Sequence, residues 1–207
     1  QGVRQCYQIV YPDAPPSRPR LSSECPRGLP EAAASAATKR REILRLLDAL
    51  SFHQALVFCN DYFGASALSN ALVESGFPAA FISGSHAQSE RSAIVRRFHT
   101  FELRVLVCTD LLARGVDFGR VSLVLQIQPP PSVPTYLHRV GRTGRFGTLG
   151  LSVLVLTGQE WVRLRRLLGA RRIVVEPLPA RLEEAEYLQR RDFDDEEKAQ
   201  LERHERQ

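Results

Sequence analysis

Residues 136–145 read Tyr-Leu-His-Arg-Val-Gly-Arg-Thr-Gly-Arg. Arg139, Arg142 and Arg145 fall close together, with His138 in front, Gly141 and Gly144 between them and Gly147 just beyond. A guanidinium is a planar fork of donors, charged at any working pH, and it matches phosphate oxygens two at a time. On a helical turn, the three-residue spacing of Arg142 and Arg145 puts both on one face. The glycines let backbone approach a bulky anion and end the helix abruptly. The chemistry offered is phosphate recognition. The plainer alternative, a solvated basic helix end, has no need of this spacing.

Two further stretches have the same flavour. Residues 105–118 read VLVCTDLLARGVDF. Thr109 offers a hydroxyl and a backbone N–H to a phosphate. Asp110 reads as an internal orienter, because a carboxylate repels phosphate. Arg114 and Gly115 pair a charge with bare backbone, and Asp117 has the means to accept from a ribose hydroxyl. The structural alternative is a loop braced by Asp110 and Arg114, with Asp117 as a turn residue. Residues 83–91 read SGSHAQSER. Gly84 leaves an open backbone N–H, and Gln88 and Arg91 stand three apart on the helix that follows.

These stretches need a frame, and the apolar pattern supplies one. Val3–Tyr11 reads as an entering strand, and Ala55–Cys59, Ala79–Ile82, Arg104–Thr109, Val121–Ile127 and Leu151–Leu156 as short buried strands, with a last strand near Ile173–Val175. Between them lie helical patterns over Lys39–Leu50, over the stretch after Asn60-Asp61 up to Gly76, over Gln88–His99, from near Val133, and up to Leu168. Such alternation predicts an α/β fold, a parallel sheet with helices on both faces. Ligands in such folds gather at the carboxyl ends of strands, where all three stretches are expected. Residues 12–38 read as a Pro/Ala-rich insert or loop in which Glu31–Ala37 can begin a helix; residues 12–30 alone hold six prolines. The main domain is expected over 39–178, with a charged tail that can be helical over 179–207.

Charge is uneven. Residues 181–207 hold ten acidic and six basic side chains, a net of −4, so residues 1–180 carry +9 of the formal +5 total. A basic body is consistent with an acidic partner such as nucleic acid. The four cysteines, Cys6, Cys25, Cys59 and Cys108, show no metal-ligand spacing. They read as reduced and structural, hence as those of an intracellular protein. No apolar run approaches the roughly 18 residues of a membrane span, so no membrane partner is expected. There is no GxxxxGK[ST] run, so the arginines have no phosphate cradle of their own. A chain that begins at Gln1 and contains no methionine reads as part of something longer.

Taken together, these stretches resemble the C-terminal RecA-like domain of the DEAD-box RNA helicases. ALVFCN at 55–60 is similar to motif IV, SGSHAQSER to the glycine loop and motif IVa, VLVCTDLLARGVDF to motif V and YLHRVGRTGR to motif VI. They occur in family order over residues 40–157. The resemblance implies one lobe of an ATP-dependent RNA-remodelling enzyme, with RNA and an N-terminal RecA-like lobe as partners. That other lobe would hold most of the ATP and Mg2+. It further implies that Arg142 and Arg145 are catalytic, reaching the γ-phosphate, and that Asp117 contacts the ATP ribose. Gly84, Arg91, Thr109, Arg114 and Gly115 would touch the RNA backbone, and His138 and Arg139 would mediate contacts between lobes and motifs. FHQALVFCN at 52–60, GFPAAFISG at 76–84 and RFGTLGL at 145–151 are similar to the Gemin-type branch that serves the SMN complex. That likeness implies SMN-complex protein partners, a part in spliceosomal ribonucleoprotein assembly, and residence in cytoplasm and nucleus. Two other readings compete: a non-catalytic interaction module derived from a helicase lobe, and a DNA translocase of the same superfamily.

Overall fold

A computed structural model of the chain describes residues 2–11, 31–110, 119–145 and 148–188. The insert at 12–30, the loop at 111–118 and the end of the tail lie outside the described residues. Seven strands form one sheet: β1 (Val3–Ile9), β2 (Gln54–Phe58), β3 (Ala79–Ile82), β4 (Val105–Cys108), β5 (Val121–Gln126), β6 (Gly150–Leu156) and β7 (Glu176–Pro177). Their order is β3-β4-β2-β5-β6-β1-β7, and every pairing is parallel. The expected α/β architecture is present, and the last strand falls just after the predicted Ile173–Val175. Five helices join the strands: α1 (Glu31–Ala49), α2 (Tyr62–Glu74), α3 (Gln88–His99), α4 (Val133–Val140) and α5 (Gly158–Gly169). Helix α1 takes in the alanine run, so the insert boundary read at 38 falls inside a helix.

The strands β2, β4, β5 and β6 are buried at every position, which is why they read as continuous apolar runs. Alternate residues serve opposite faces. Val57, Val107, Leu125 and Val153 meet Ile43 and Leu47 of α1 and Leu68 and Leu72 of α2. On the other face, Leu56, Leu106 and Val124 pack with Phe98 of α3, and Leu154 and Leu156 pack with Tyr136 of α4 and Leu164 and Leu168 of α5. That second face is split in two. Between its apolar clusters stand Gln126, Ser152 and Arg139, all buried. A polar seam inside a core persists only if its members satisfy one another, and this one leads to the site.

Helix boundaries follow local chemistry. Asp61 caps α2 by accepting from the Gly64 N–H at 2.6 Å. At the far end Gly76 sits at φ +86°, where Phe77 N–H reaches Leu72 O and Gly76 N–H reaches Val73 O, the paired closure that a left-handed residue permits. The predicted division between body and tail at 178 needs correction. Tyr187 is fully buried and Leu188 nearly so, both in the α1-side core. Arg4 pairs with Glu186, Ser51 hydrogen-bonds Glu184, and Leu178 N–H donates to Tyr7 O. Three glutamates within 183–186 disguise an apolar anchor.

Candidate functional site

The carboxyl edge of the sheet is held together by one guanidinium. Helix α4 starts at Ser132, whose hydroxyl accepts from the Thr135 N–H, and a proline in its first turn favours the start. Its inward side carries Tyr136, Arg139 and Val140. The Arg139 side chain is 0% exposed and engages every donor it has. Nε gives 2.6 Å to Asp110 Oδ1, and Nη2 gives 2.7 Å to Asp110 Oδ2 and 2.6 Å to Asn60 Oδ1. Nη1 gives 3.2 Å to Gln128 O and 3.4 Å to Gln126 Oε1. Five N–H groups meet five acceptors, the full capacity of a guanidinium. The Phe58 ring lies 5.4 Å beneath.

A second layer surrounds this bolt. Gln128 Oε1 accepts from Asn60 N–H at 2.5 Å, while its Nε2 donates to Asp61 Oδ2 at 2.9 Å. Asn60 Nδ2 donates to Pro129 O. The Gln128 amide, then the Gly64 N–H, hold the Asp61 carboxyl below its ordinary range. Arg139 therefore ties the ends of β2, β4 and β5 to α4. Asp110 is the internal orienter the sequence suggested, with Arg139 as its partner. Of the contacts between lobes and motifs expected of Arg139, the structure shows those between motif-like segments, and its guanidinium is wholly enclosed within this lobe. His138, the next residue back, is exposed.

Arg142 and Arg145 stand elsewhere. Helix α4 ends at Val140 with Gly141 as its cap, so neither arginine lies on the helix, contrary to expectation. Each turns back on the helix end: Arg142 Nε donates to His138 O at 3.3 Å, and Arg145 Nε donates to Gly141 O at 2.7 Å. Cations on terminal carbonyls complement the helix dipole. The turn between them is pinned at the opposite edge of the sheet. The Thr143 hydroxyl donates to the carbonyl of Val121, the first residue of β5. Gly144 sits at φ +66°, and a Cβ there would lie 2.3 Å from the Val3 side chain. Gly150 N–H donates to Gly2 O. The Thr143-Gly144 turn between them thus lies toward the amino ends of β1 and β5, while the Arg142 charge still acts on Cys108 at the carboxyl end of β4.

The remaining predicted residues divide. Register places Ile82 beside Cys108 and Cys108 beside Phe58. The segments holding Gly84, Thr109-Asp110 and Asn60 are therefore neighbours along the carboxyl edge. Gly84 is exposed, in a turn where Ser83 N–H donates to His86 Nδ1 at 3.1 Å. Arg91 donates to Gln88 Oε1 at 2.5 Å, and its buried Nε has no partner. Arg114, Gly115 and Asp117 lie outside the described residues. Among the described residues, no group of His, Cys, Asp and Glu side chains converges to hold a metal, so no step is assigned to Mg2+ on this chain. Cys6, Cys59 and Cys108 are free and buried. Burial pushes the Cys59 thiol up to about 12.

Sequence reasoning missed the supporting cast: Asn60 as a bolt ligand, Gln126, Gln128, and Gly2 beneath the arginine turn. A signal existed for the glutamines. Both fall in or beside an otherwise apolar strand, VSLVLQIQ, where a polar side chain must find a partner.

Comparison with known proteins agrees with this layout. The family of the helicase conserved C-terminal domain matches residues 38–147. The probable ATP-dependent RNA helicase ddx20 of Dictyostelium discoideum is 35% identical over 153 residues, 74% of this chain and 16% of that protein. The human ATP-dependent RNA helicase DDX39A is 41% identical over 122 residues, 59% of this chain and 29% of its own length. The crystal structure of a DEAD box protein from Methanococcus jannaschii superposes with a TM-score of 0.69 at 26% identity, covering 86% of this chain and 42% of that one. The chain thus spans about a sixth to a third of the length of the curated relatives it matches. Its fold is the RecA-like fold of DEAD-box C-terminal domains.

Proposed function

The chain belongs to the helicase conserved C-terminal domain family, and from that premise we propose that it is the C-terminal lobe of an ATP-dependent DEAD-box RNA helicase. In this reading it closes with an N-terminal lobe around ATP and RNA. One observation carries the proposal: buried Arg139 joins, at one point, the segments that resemble motifs IV, V and VI. Such a bolt keeps backbone-contacting loops in fixed relation, which is what sequence-independent strand binding requires. RNA-facing residues are Gly84, Arg91, Thr109, Arg114 and Gly115. Arg142 and Arg145 stabilise charge on the transferring phosphoryl group, and Asp117 receives the ATP ribose. ATP and Mg2+ are held mainly by the other lobe, so this chain alone hydrolyses no ATP. The acting protein works in cytoplasm and nucleus.

The test is binding of short single-stranded RNAs of two unrelated sequences to this chain across a salt series. Affinity should be weak, similar for both, and fall steeply with salt. Arg91→Ala with Arg114→Ala should weaken both alike. A strongly sequence-selective loss would refute the backbone-contact assignment. The narrower proposal, a place in the SMN complex and ribonucleoprotein assembly, rests on the three stretches quoted for it. DEAD-box relatives under other names match at 36% to 41% identity. Co-purification of SMN-complex proteins with the full-length protein, lost on replacing this domain by that of another DEAD-box helicase, is its check.

A further inference from the structure

Tyr62 and Phe63 open α2 directly after the bolt residue Asn60 and the cap Asp61. The helix turns Ala65, Leu68, Ser69 and Leu72 inward, and these two rings take no part in that face. Phe63 is 83% exposed and Tyr62 43%. The rings are nevertheless ordered among themselves. Tyr62 meets Phe81, at the end of β3, edge-on with centroids 5.0 Å apart, and His86 lies 5.1 Å from Phe81. Phe63 stands edge-on to Tyr62 at 5.6 Å. His86 is itself fixed, its Nδ1 accepting from Ser83 N–H. Tyr62 is seated against Phe81 and His86, and Phe63 stands outside it as the most exposed ring of the group.

We propose that Tyr62 and Phe63 form a stacking platform for one unpaired RNA base at the carboxyl edge of this lobe. The proposal rests on the RNA-binding reading above and deepens it. An aromatic ring carried on a helix start, backed by other rings, offers a flat face that every base can cover, and such stacking is tolerant of sequence. The surroundings select a base over a protein. The two rings follow exposed Asn60 and Asp61 in the chain, and Tyr62 lies near His86. A stable protein interface takes about 800 Å² from each partner, far more than two rings supply. They also select a base over a phosphate. Asp61, next to Tyr62 in the chain, carries the same sign of charge as a phosphate, with both oxygens already engaged. The phosphates are left to α3, the helix after the Gly84 turn, which carries the basic Arg91. The body's excess of basic residues draws the strand in.

The experiment compares this chain's affinity for a short oligouridylate with that for the same length of abasic ribose-phosphate, in the wild type, Phe63→Ala and Phe63→Trp. Charge is equal in the two ligands, so only stacking separates them. Stacking of one base is worth roughly 1–3 kcal/mol, a preference of about 5-fold or more for the base-bearing strand. Phe63→Ala should lose most of that preference with its salt slope unchanged, and Phe63→Trp should keep it. A preference that survives Phe63→Ala overturns the platform; if self-association of the chain is lost in that variant instead, the patch is a protein contact. Equal wild-type affinity for both strands overturns the platform and leaves the RNA-binding reading standing. Failure of both strands to bind overturns the two together.

Discussion

Arg139 and the pair Arg142 and Arg145 come from one short stretch of chain and live in different physics. The first is enclosed and bonded on all five donors at the carboxyl edge. The others, half-buried, rest on the terminal carbonyls of α4 in a turn pinned to the starts of β1 and β5. A guanidinium with every N–H spent inside its own lobe has nothing left for a ligand. Arg142 and Arg145 rest by Nε on the end of the helix and are only half-buried. The motif therefore contains one wholly enclosed structural arginine and two less enclosed ones, proposed here for the phosphate, and residue type alone does not sort them. Helix phase and the position of Gly141 do.

The largest effect should come from the bolt. Removing one member of a buried ion pair costs about 3–5 kcal/mol. Asp110 keeps 32% side-chain exposure, which sets the expectation for Arg139→Met near the lower end. At roughly 2–4 °C per kcal/mol for a domain of this size, the melting temperature should fall by about 6–12 °C. Arg139→Lys should recover less than half, because an ammonium cannot span Asp110, Asn60 and Gln128 as the fork does. A melting curve for Arg139→Met unchanged from the wild type would break the comparison at its stronger side.

The arginine turn should show the opposite pattern. In a protein that joins this domain to its N-terminal lobe, Arg142→Ala or Arg145→Ala should lower RNA-stimulated ATP turnover by about 10² or more. That is within the span such arginines contribute in phosphoryl transfer. Stability should shift little, because a lost contact to a terminal carbonyl is worth about 0.3–1 kcal/mol. If turnover falls only in proportion to unfolded protein, the two regions are one structural unit and the contrast fails.

Much of this was legible and some was not, for physical reasons. Buried parallel strands write themselves as unbroken apolar runs, so β2, β4, β5 and β6 were found near their true limits. Helix α3 was read at its observed Gln88–His99 because its apolar spacing is unambiguous. The bolt was only half visible: Asp110 was read as an orienter with no partner named, and the structural alternative paired it with Arg114, which lies outside the described residues. The true partner comes from a helix 29 residues away, and pairing across a sheet edge leaves no local spacing. The location of Arg142 and Arg145 failed similarly. A three-residue spacing looks helical whether or not a glycine has already ended the helix. The anchor at Tyr187 and Leu188 was hidden by neighbouring glutamates, since local charge outvoted two apolar residues.

The smallest effect separates the two regions by pH. Asp61 belongs to the bolt's outer layer, and hydrogen bonds from Gln128 and the Gly64 N–H hold its pKa below the ordinary value. A carboxyl so depressed adds stability in full above its unfolded value, near 4, and loses it as pH falls through the lower folded value. Asp61→Asn keeps a cap acceptor of similar quality and removes the charge. The wild type should therefore melt about 1–3 °C above Asp61→Asn at pH 7, an exposed group's modest share. The gap should close as the pH falls from the unfolded value through the lower folded one. The turn offers a control that does not titrate. Thr143→Val removes one buried neutral hydrogen bond to Val121 O, worth about 1 kcal/mol, and its gap to the wild type should stay level over the same range. A gap for Asp61→Asn that widens on acidification would mean that the Asp61 carboxylate opposes folding, and that the layer around Arg139 is held by something other than the Gln128 contact.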